Sequence, residues 1–342
     1  MTGFVIGDVM TQLGVIPRVA SKWSPYDRWS AIKVRWSIGR MQYRITPGIY
    51  AVGNPDRNSL VFVTGNYKLS FDHLRRALEG IDGWILVLET KGINVWCAAG
   101  KGTFGTKELV KRIRYHHLDQ IIDHRKIILP QLGATGVAAH EVKRMTDFTI
   151  IYGPVLAKDI QSFLTAGLKA TDAMRKVTFP FLERLKLIPV DLFYGKYYML
   201  LVPFVFLLLS GLSSKGYSFD LVVNHGLKAM VNLYSGYFAG CALTPALLPW
   251  IPFRRFAAKG LVIGWVVAIL LLFAGTMGLS LIEKVSWFLM IGGLSSFMAM
   301  NFTGSSTFTS LSGVQKEMKT ALPVQIAMAV LGIIGWILTR FL

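Results

Sequence analysis

Two patterns of apolar residues divide this chain. Up to about residue 170, short apolar runs alternate with amphipathic stretches, and from residue 197 onward apolar residues fill segments long enough to cross a bilayer. In the first region the runs at 49–52, 60–63, 84–88, 126–129 and 148–151 read as buried strands. The stretches 71–78, 107–122, 137–145 and 155–168 read as helices between them. The longest carries Leu109, Val110, Ile113, Leu118, Ile121 and Ile122 as its apolar stripe. This alternation predicts an α/β domain with a largely parallel sheet, Rossmann-like or TIM-related, over residues 1–170. Its first 45 residues mix aromatic and basic side chains: Trp23, Tyr26, Trp29, Arg35, Trp36, Arg40, Tyr43 and Arg44. The run 31–36 alternates like a half-buried strand, so residues 1–45 read as a strand or hairpin extension.

The second region, 197–342, reads as a transmembrane domain of five helices, with spans at roughly 197–213, 229–250, 260–282, 285–303 and 320–341. Residues 171–196 form an amphipathic, basic linker suited to an anionic membrane surface, with Arg175, Lys176, Phe179, Phe181, Arg184 and Lys186. Five crossings place Arg184, Lys186, Lys196, Arg254, Arg255, Lys259, Lys316 and Lys319 on one side of the membrane. That side is expected to be the cytoplasm, with the first domain in it. Mid-span ionisable residues are nearly absent, which argues for anchoring rather than an ion pathway. Residues 1–13 lack a basic n-region and carry Asp8, so they do not read as a signal peptide.

In a parallel sheet, ligands sit beyond the carboxyl ends of the strands. Four loops leave those ends: Thr64-Gly65-Asn66-Tyr67, the segment Thr90 to Thr103, Pro130 to Val137, and Tyr152-Gly153-Pro154-Val155. All are small and Gly-rich, which suits a large ligand whose edges meet backbone. The second loop holds the chemistry. Asn94 is a good N-cap for a short helix over 95–101, and Cys97 falls in its first turn, where the helix dipole favours a thiolate. Asn94, Cys97 and Lys101 share a face, flanked by the small residues Ala98, Ala99 and Gly100.

Composition narrows the choices. The chain carries a formal charge of +18 and is 53% hydrophobic. Bases beside apolar spans are explained by membrane orientation, and no zinc-finger spacing or RNA-binding aromatic motif supports nucleic acid. Cys97 and Cys241 are the two cysteines, too few for an intrinsic iron–sulfur cluster and too far apart for a disulfide framework. Gly100-Lys101-Gly102-Thr103-Phe104-Gly105 fits a dinucleotide pattern, but some ten residues separate it from the preceding strand, so it does not read as one. His116 and His117 read as a solvated pair on a helix, and His124 and His140 as satisfied surface groups or helix caps. Cys241 reads as inert packing in a span.

Asn94-Val95-Trp96-Cys97-Ala98-Ala99-Gly100-Lys101 resembles the signature octapeptide of the corrinoid protein family of microbial mercury methylation. From about Pro47 through Ala170 the chain also resembles the corrinoid-binding subunits of the acetyl-CoA pathway. The first resemblance implies a membrane-anchored, corrinoid-dependent methyltransferase of anaerobes, in the inner membrane with its N-terminal domain in the cytoplasm. It would pass a methyl group from methyl-cobalt of a cobalamin-type cofactor to Hg(II). Residues 94–101 would be the cap helix under the corrin ring and Cys97 the lower cobalt ligand. Thr64, Gly65, Asn66, Asn94, Val95, Trp96, Ala98, Ala99, Gly100, Lys101, Gly133, Ala134, Gly136, Val137, Gly153 and Pro154 would line the cofactor. The resemblance further implies a ferredoxin-like electron donor with two [4Fe–4S] clusters and a methyl source in the methyltetrahydrofolate pathway. Two other readings stand beside it: a membrane-attached corrinoid methyl carrier for another acceptor, and a non-enzymatic corrinoid-binding or transport protein.

Overall fold

The computed structural model describes residues 3–302 and 311–342. The chain divides after Thr178 into two units. In the first, strands β1 (Val5–Thr11) and β2 (Gly14–Val19) form a hairpin, followed by helix α1 (Pro25–Arg35). Next come β3 (Gly48–Val52), β4 (Leu60–Gly65), α2 (Lys68–Ala77) and β5 (Gly83–Leu88). Helices α3 (Val95–Gly100), α4 (Thr106–Tyr115) and α5 (Leu118–Ile121) lead to β6 (Lys126–Leu129). The unit ends with α6 (Ala139–Thr146), β7 (Thr149–Tyr152), α7 (Ile160–Thr165) and α8 (Asp172–Arg175).

The seven strands form one sheet in the order β1-β2-β3-β5-β4-β6-β7. It is mostly parallel: β2/β3, β4/β5, β4/β6 and β6/β7 run parallel, while β1/β2 and β3/β5 run antiparallel. The central strands are apolar throughout because both faces are covered. On one face Val61, Val63, Trp84, Leu86 and Ile127 pack with Leu109, Ile113 and Val142. On the other, Phe62, Ile85, Val87 and Ile128 pack with Phe71, Leu74 and Phe163. From β4 the chain builds outward first to β5 on one side, then to β6 and β7 on the other. The crevice beyond the carboxyl ends of β4 and β6 is therefore a topological switch point, the usual ligand position in such sheets.

Three local expectations change. Residues 31–36 are not a strand: they form the end of α1 and its C-cap, Trp36. Ser24 and Asp27 make a capping box ahead of Pro25, and the inner face of the helix carries Asp27, Ser30, Ala31 and Val34. A buried charge cluster fixes that face to α2. Lys68 Nζ lies 2.7 Å from Asp27 and 2.6 Å from Asp72, and Arg75 lies 2.8 Å from each of the same carboxylates. The hairpin of this region lies earlier, in β1 and β2. Second, the helix expected over 107–122 is broken into α4 and α5, because His117 takes a left-handed conformation with φ 45°. Third, the stretch 155–168 is a 3₁₀ turn, Ala157–Asp159, followed by the shorter α7.

The second unit is helical: α9 (Phe181–Tyr194), α10 (Lys196–Leu209), α11 (Phe219–Leu221), α12 (Leu227–Phe238), α13 (Thr244–Leu247), α14 (Phe256–Phe273), α15 (Leu281–Asn301) and α16 (Leu311–Leu338). Among the described residues, three helices are long and apolar enough to cross a membrane: Phe256–Phe273, Leu281–Asn301 and Gly313–Leu338. The pair Phe181–Phe193 and Lys196–Leu209, bent by 59°, raises the number to at most four. Five unbroken spans are thus not found. The expected second span, 229–250, falls on α12 and α13 with a π-helical turn, Ala239–Leu243, between them. Residue 303, the end of the expected fourth span, lies outside the described residues, as do residues 1 and 2 of the N-terminal extension. Small residues set the packing of α14 on α15. A Cβ at Gly264 would lie 2.7 Å from Ser295 Cβ, and the Ser295 hydroxyl donates to Gly260 O at 2.6 Å.

Candidate functional site

The chain leaves β5 into a loop that Asn66, just past β4, holds in place. Thr90 N and Gly92 N donate to Asn66 Oδ1 at 3.1 and 2.9 Å. The Thr90 hydroxyl is shared between that oxygen, at 2.9 Å, and Ile93 O, at 2.7 Å. Asn66 Nδ2 donates in turn to Glu89 Oε1 at 2.8 Å. The amide is buried inside the protein. Lys91 and Gly92 have φ of 58° and 70°, a tight reversal that glycine makes accessible at the second position. The reversal turns the chain into α3. There Asn94 is the N-cap, its Oδ1 accepting from Cys97 N at 2.9 Å. The helix ends at Gly100, with Lys101 as its C-cap. Val95, Ala98 and Ala99 are buried, Asn94, Trp96 and Cys97 half-buried, and Gly100 and Lys101 exposed. Cys97 thus stands at the rim, on a short helix anchored from below by its neighbours.

The other loops close around it. Thr106 N donates to Gly136 O at 3.1 Å, and Ala138 N donates to Thr106 Oγ1 at 2.9 Å. Tyr152 Oη donates to Val137 O at 2.8 Å, and Gly153 N donates to Leu129 O at 2.8 Å. The segments after β5, β6 and β7 are therefore bonded to one another at one edge, with Asn66 joining the loop after β4. Their glycines serve this assembly. A Cβ at Gly65 would lie 2.9 Å from Thr90, one at Gly153 would lie 3.1 Å from Ile128, and ones at Gly133 and Gly136 would collide with Phe104. The glycines permit close packing between loops. Thr64, Gly65, Asn66, Gly133, Val137, Gly153 and Pro154 are buried, whereas Ala134 and Gly136 reach the surface in part. The buried members shape the rim; Trp96, Cys97, Gly100, Lys101, Ala134 and Gly136 form its accessible side.

The electrostatics at Cys97 differ from the expectation of a thiolate. Burial pushes the thiol above its ordinary range; Lys101, the Asn94 side chain and Arg40 pull the other way without offsetting it. A six-residue helix has too little dipole to reverse the desolvation. Arg40 was not among the expected residues. It sits in a turn of the N-terminal extension, with its guanidinium 5.7 Å from the centre of the Tyr67 ring, and nothing in its sequence neighbourhood links it to Cys97. Glu89, which flanks the expected loop, was missed as well, and Thr90, its first residue, was given no part of its own.

Among the described residues, no three His, Cys, Asp or Glu side chains come together as a metal site. A lone half-exposed thiol cannot hold a bare ion. It could give one bond to a metal already held by a larger group, and coordination would itself favour the thiolate. The donor at this rim fits that role.

Residues 39–164 match the family of the CO dehydrogenase/acetyl-CoA synthase delta subunit. The matched region runs from the turn holding Arg40 to α7 and includes all four rim loops. The chain is also similar to proteins named acetyl-CoA decarbonylase/synthase complex subunit gamma. Those of Methanopyrus kandleri and Archaeoglobus fulgidus are each 28% identical over 127 residues, 36% of this chain and 27% of theirs. That of Methanocaldococcus jannaschii is 30% identical over 36% of this chain and 26% of its own. The chain spans about a quarter of the length of these relatives.

The histidines stay outside the rim. His116 is half-buried rather than solvated, and burial, followed by Arg112, holds its pKa below the usual value. His124 is satisfied, with Nε2 3.0 Å from Ser59 O and Nδ1 accepting from Lys126 N at 3.2 Å; His140 is exposed.

Proposed function

We propose that the first unit carries a corrinoid at this rim and that the chain is a membrane-anchored, corrinoid-dependent methyltransferase with Hg(II) as methyl acceptor. The observation that carries the proposal is α3: a thiol on a capped, rigidly tethered helix at the switch point of a mostly parallel sheet. The match over residues 39–164 supports it. When bound, the corrinoid supplies cobalt chemistry that carries a methyl group and passes it on. The protein's part is binding and orientation. Cys97 would give the sulfur donor to the metal, Asn94 fixes the backbone at that donor, and Lys101 and Arg40 favour negative charge on the sulfur. A donating thiolate at Cys97 would raise electron density on a metal it held, which is the residue's part in handing a methyl group to an electrophile such as Hg(II). The accessible edge at Gly100, Ala134 and Gly136 lets a flat macrocycle approach closely.

The same proposal includes a ferredoxin-like reductant with two [4Fe–4S] clusters and a methyl donor from the methyltetrahydrofolate pathway. It places the second unit in the inner membrane and the first in the cytoplasm. The names of the relatives, which are subunits of a multi-protein complex, favour a second reading: a methyl carrier for an acceptor other than mercury.

The test is the absorption spectrum of the corrinoid-loaded protein, wild type against Cys97→Ala. Sulfur ligation predicts a band shift that the variant loses while corrinoid remains bound. Identical spectra would remove Cys97 from the metal. Methyl transfer to Hg(II), lost on deleting the gene with no other methylation defect, separates the mercury reading from the carrier reading.

A further inference from the structure

The rim leaves α1 without a task. One face of this helix is held by the buried charge cluster, and the opposite face is apolar and open. Tyr26, Trp29 and Ile32 follow one another at three-residue spacing on that open face and are 68%, 56% and 49% exposed. Ile38 and Met41, just beyond the helix, are exposed too. Basic side chains border the stripe. Lys33 Nζ lies 5.4 Å from the centre of the Trp29 ring, and Arg28 is exposed one turn before Ile32. Arg28 also lines a groove of about 410 Å³ with Lys22, Trp23, Arg76 and Glu79. Glu79 meets Lys22 at 3.6 Å, and Arg76 stacks over Trp23 at 5.5 Å. The groove thus has three bases to one acid.

We propose that this surface of α1 docks on the face of an anionic phospholipid bilayer. The aromatic and aliphatic stripe would enter the boundary between headgroups and acyl chains, and the groove of Lys22, Arg28 and Arg76 would receive a phosphate-bearing headgroup. Tryptophan, tyrosine and isoleucine bordered by lysine and arginine on one exposed helical face are the chemistry of an interfacial helix. Charge complementarity selects anionic lipid: each base near the surface adds attraction, and the single acid of the groove is already paired. The inference rests on the second unit being membrane-embedded, for then the bilayer is present at high effective concentration and one helical face suffices.

The full-length chain is reconstituted in nanodiscs of phosphatidylcholine alone or mixed with phosphatidylglycerol, and in detergent micelles. Hydrogen exchange of residues 25–36 is followed at low and high salt. Co-elution with the discs tests membrane embedding by itself, and failure to embed overturns both ideas. Docking predicts exchange slowed by at least about tenfold in the phosphatidylglycerol discs at low salt, with the slowing lost at high salt. The pair Arg28→Glu and Lys33→Glu should abolish the slowing, and Trp29→Ser with Ile32→Ser should weaken it. Exchange in β4 and β5 should stay unchanged in both, as the altered residues are exposed. Equal exchange in the three environments would overturn the proposal. So would equal protection in all of them, which would mean that the rest of the chain covers α1. Protection that grows with the number of chains per disc would mean a second copy and would overturn it as well.

Discussion

Asn66 organises the site without touching its accessible side. Its Oδ1 takes two backbone N–H groups and its Nδ2 reaches the carboxylate of Glu89. That last bond gives the residue a specific signature. Asn66→Asp keeps the shape and the accepted bonds but sets a second carboxylate against Glu89, and a buried acceptor facing an acceptor costs about 1–3 kcal/mol. The expected outcome is a lower unfolding midpoint of the first unit and loosened exchange over residues 89–94. Glu89→Gln added to Asn66→Asp should restore part of the loss, since the glutamine amide can donate to the new carboxylate. A double variant no more stable than Asn66→Asp would show that the pairing is not what holds the loop. The part Asn66 plays was not legible beforehand, because its partners lie 23 to 26 positions away. Cys97 and its cap were legible because the N-cap bond spans three residues. The state of the thiol was not, because burial is set by the whole rim.

At the level of elements, legibility followed burial. The strands of the 48–152 region were plain because β3 to β6 are apolar runs covered on both faces, and the edge strand β7 is an apolar run partly covered. The antiparallel entry of β3 was hidden for the same reason: an apolar run carries no direction. Helix α1 was misread as a strand because its exposed face is as apolar as a core face, so polarity did not mark solvent. Its inner face is charged instead. Burial pushes the Asp27 carboxyl up, but Lys68, the backbone N–H of Ser24 and Arg75 outweigh it and hold its pKa below the ordinary value of 3.8. A carboxylate depressed in the folded state stabilises the fold above its unfolded pKa, and that contribution is lost as pH falls through the folded value. The protection factors of residues 25–36, taken against the intrinsic exchange rate at each pH, should therefore fall progressively below pH 3.8 in the wild type. In Asp27→Asn this fall should flatten. That variant should also be less stable at neutral pH, on the order of 3 kcal/mol, because Lys68 and Arg75 then share one carboxylate. A wild-type profile identical to that of Asp27→Asn would remove the cluster as the clamp between α1 and α2.

For the molecule as a whole, the described residues hold three helices long and apolar enough to cross a membrane, or four with the bent pair, and hydropathy does not register a π turn. The helical path from Phe219 to Leu247 is interrupted at Val222–Gly226 and Ala239–Leu243, yet it has the contacts of a packed span. Gly236 approaches Ile291 so closely that a Cβ would lie 3.3 Å from the Ile291 Cα, and a Cβ at Gly240 would collide with Ser295. Small residues at this spacing let a helix lie against α15, and π turns are tolerated where neighbouring helices cover them. If α15 crosses a membrane, a rod this tightly joined to it is expected to cross with it. Together with the bent pair, α14, α15 and α16, it would make five crossings, and these would put Leu342 on the opposite side of the membrane from the first unit. Without the rod there are four, and both ends share a side. A cysteine introduced at Leu342 in a Cys97→Ser, Cys241→Ser background, probed with an impermeant maleimide in sealed inside-out and right-side-out vesicles, reads the parity directly. Five crossings predict labelling from the face opposite to that on which protease reaches the first unit. Labelling and proteolysis from the same face would mean that the rod packs on α15 without traversing, and the basic loops then need a different assignment of sides.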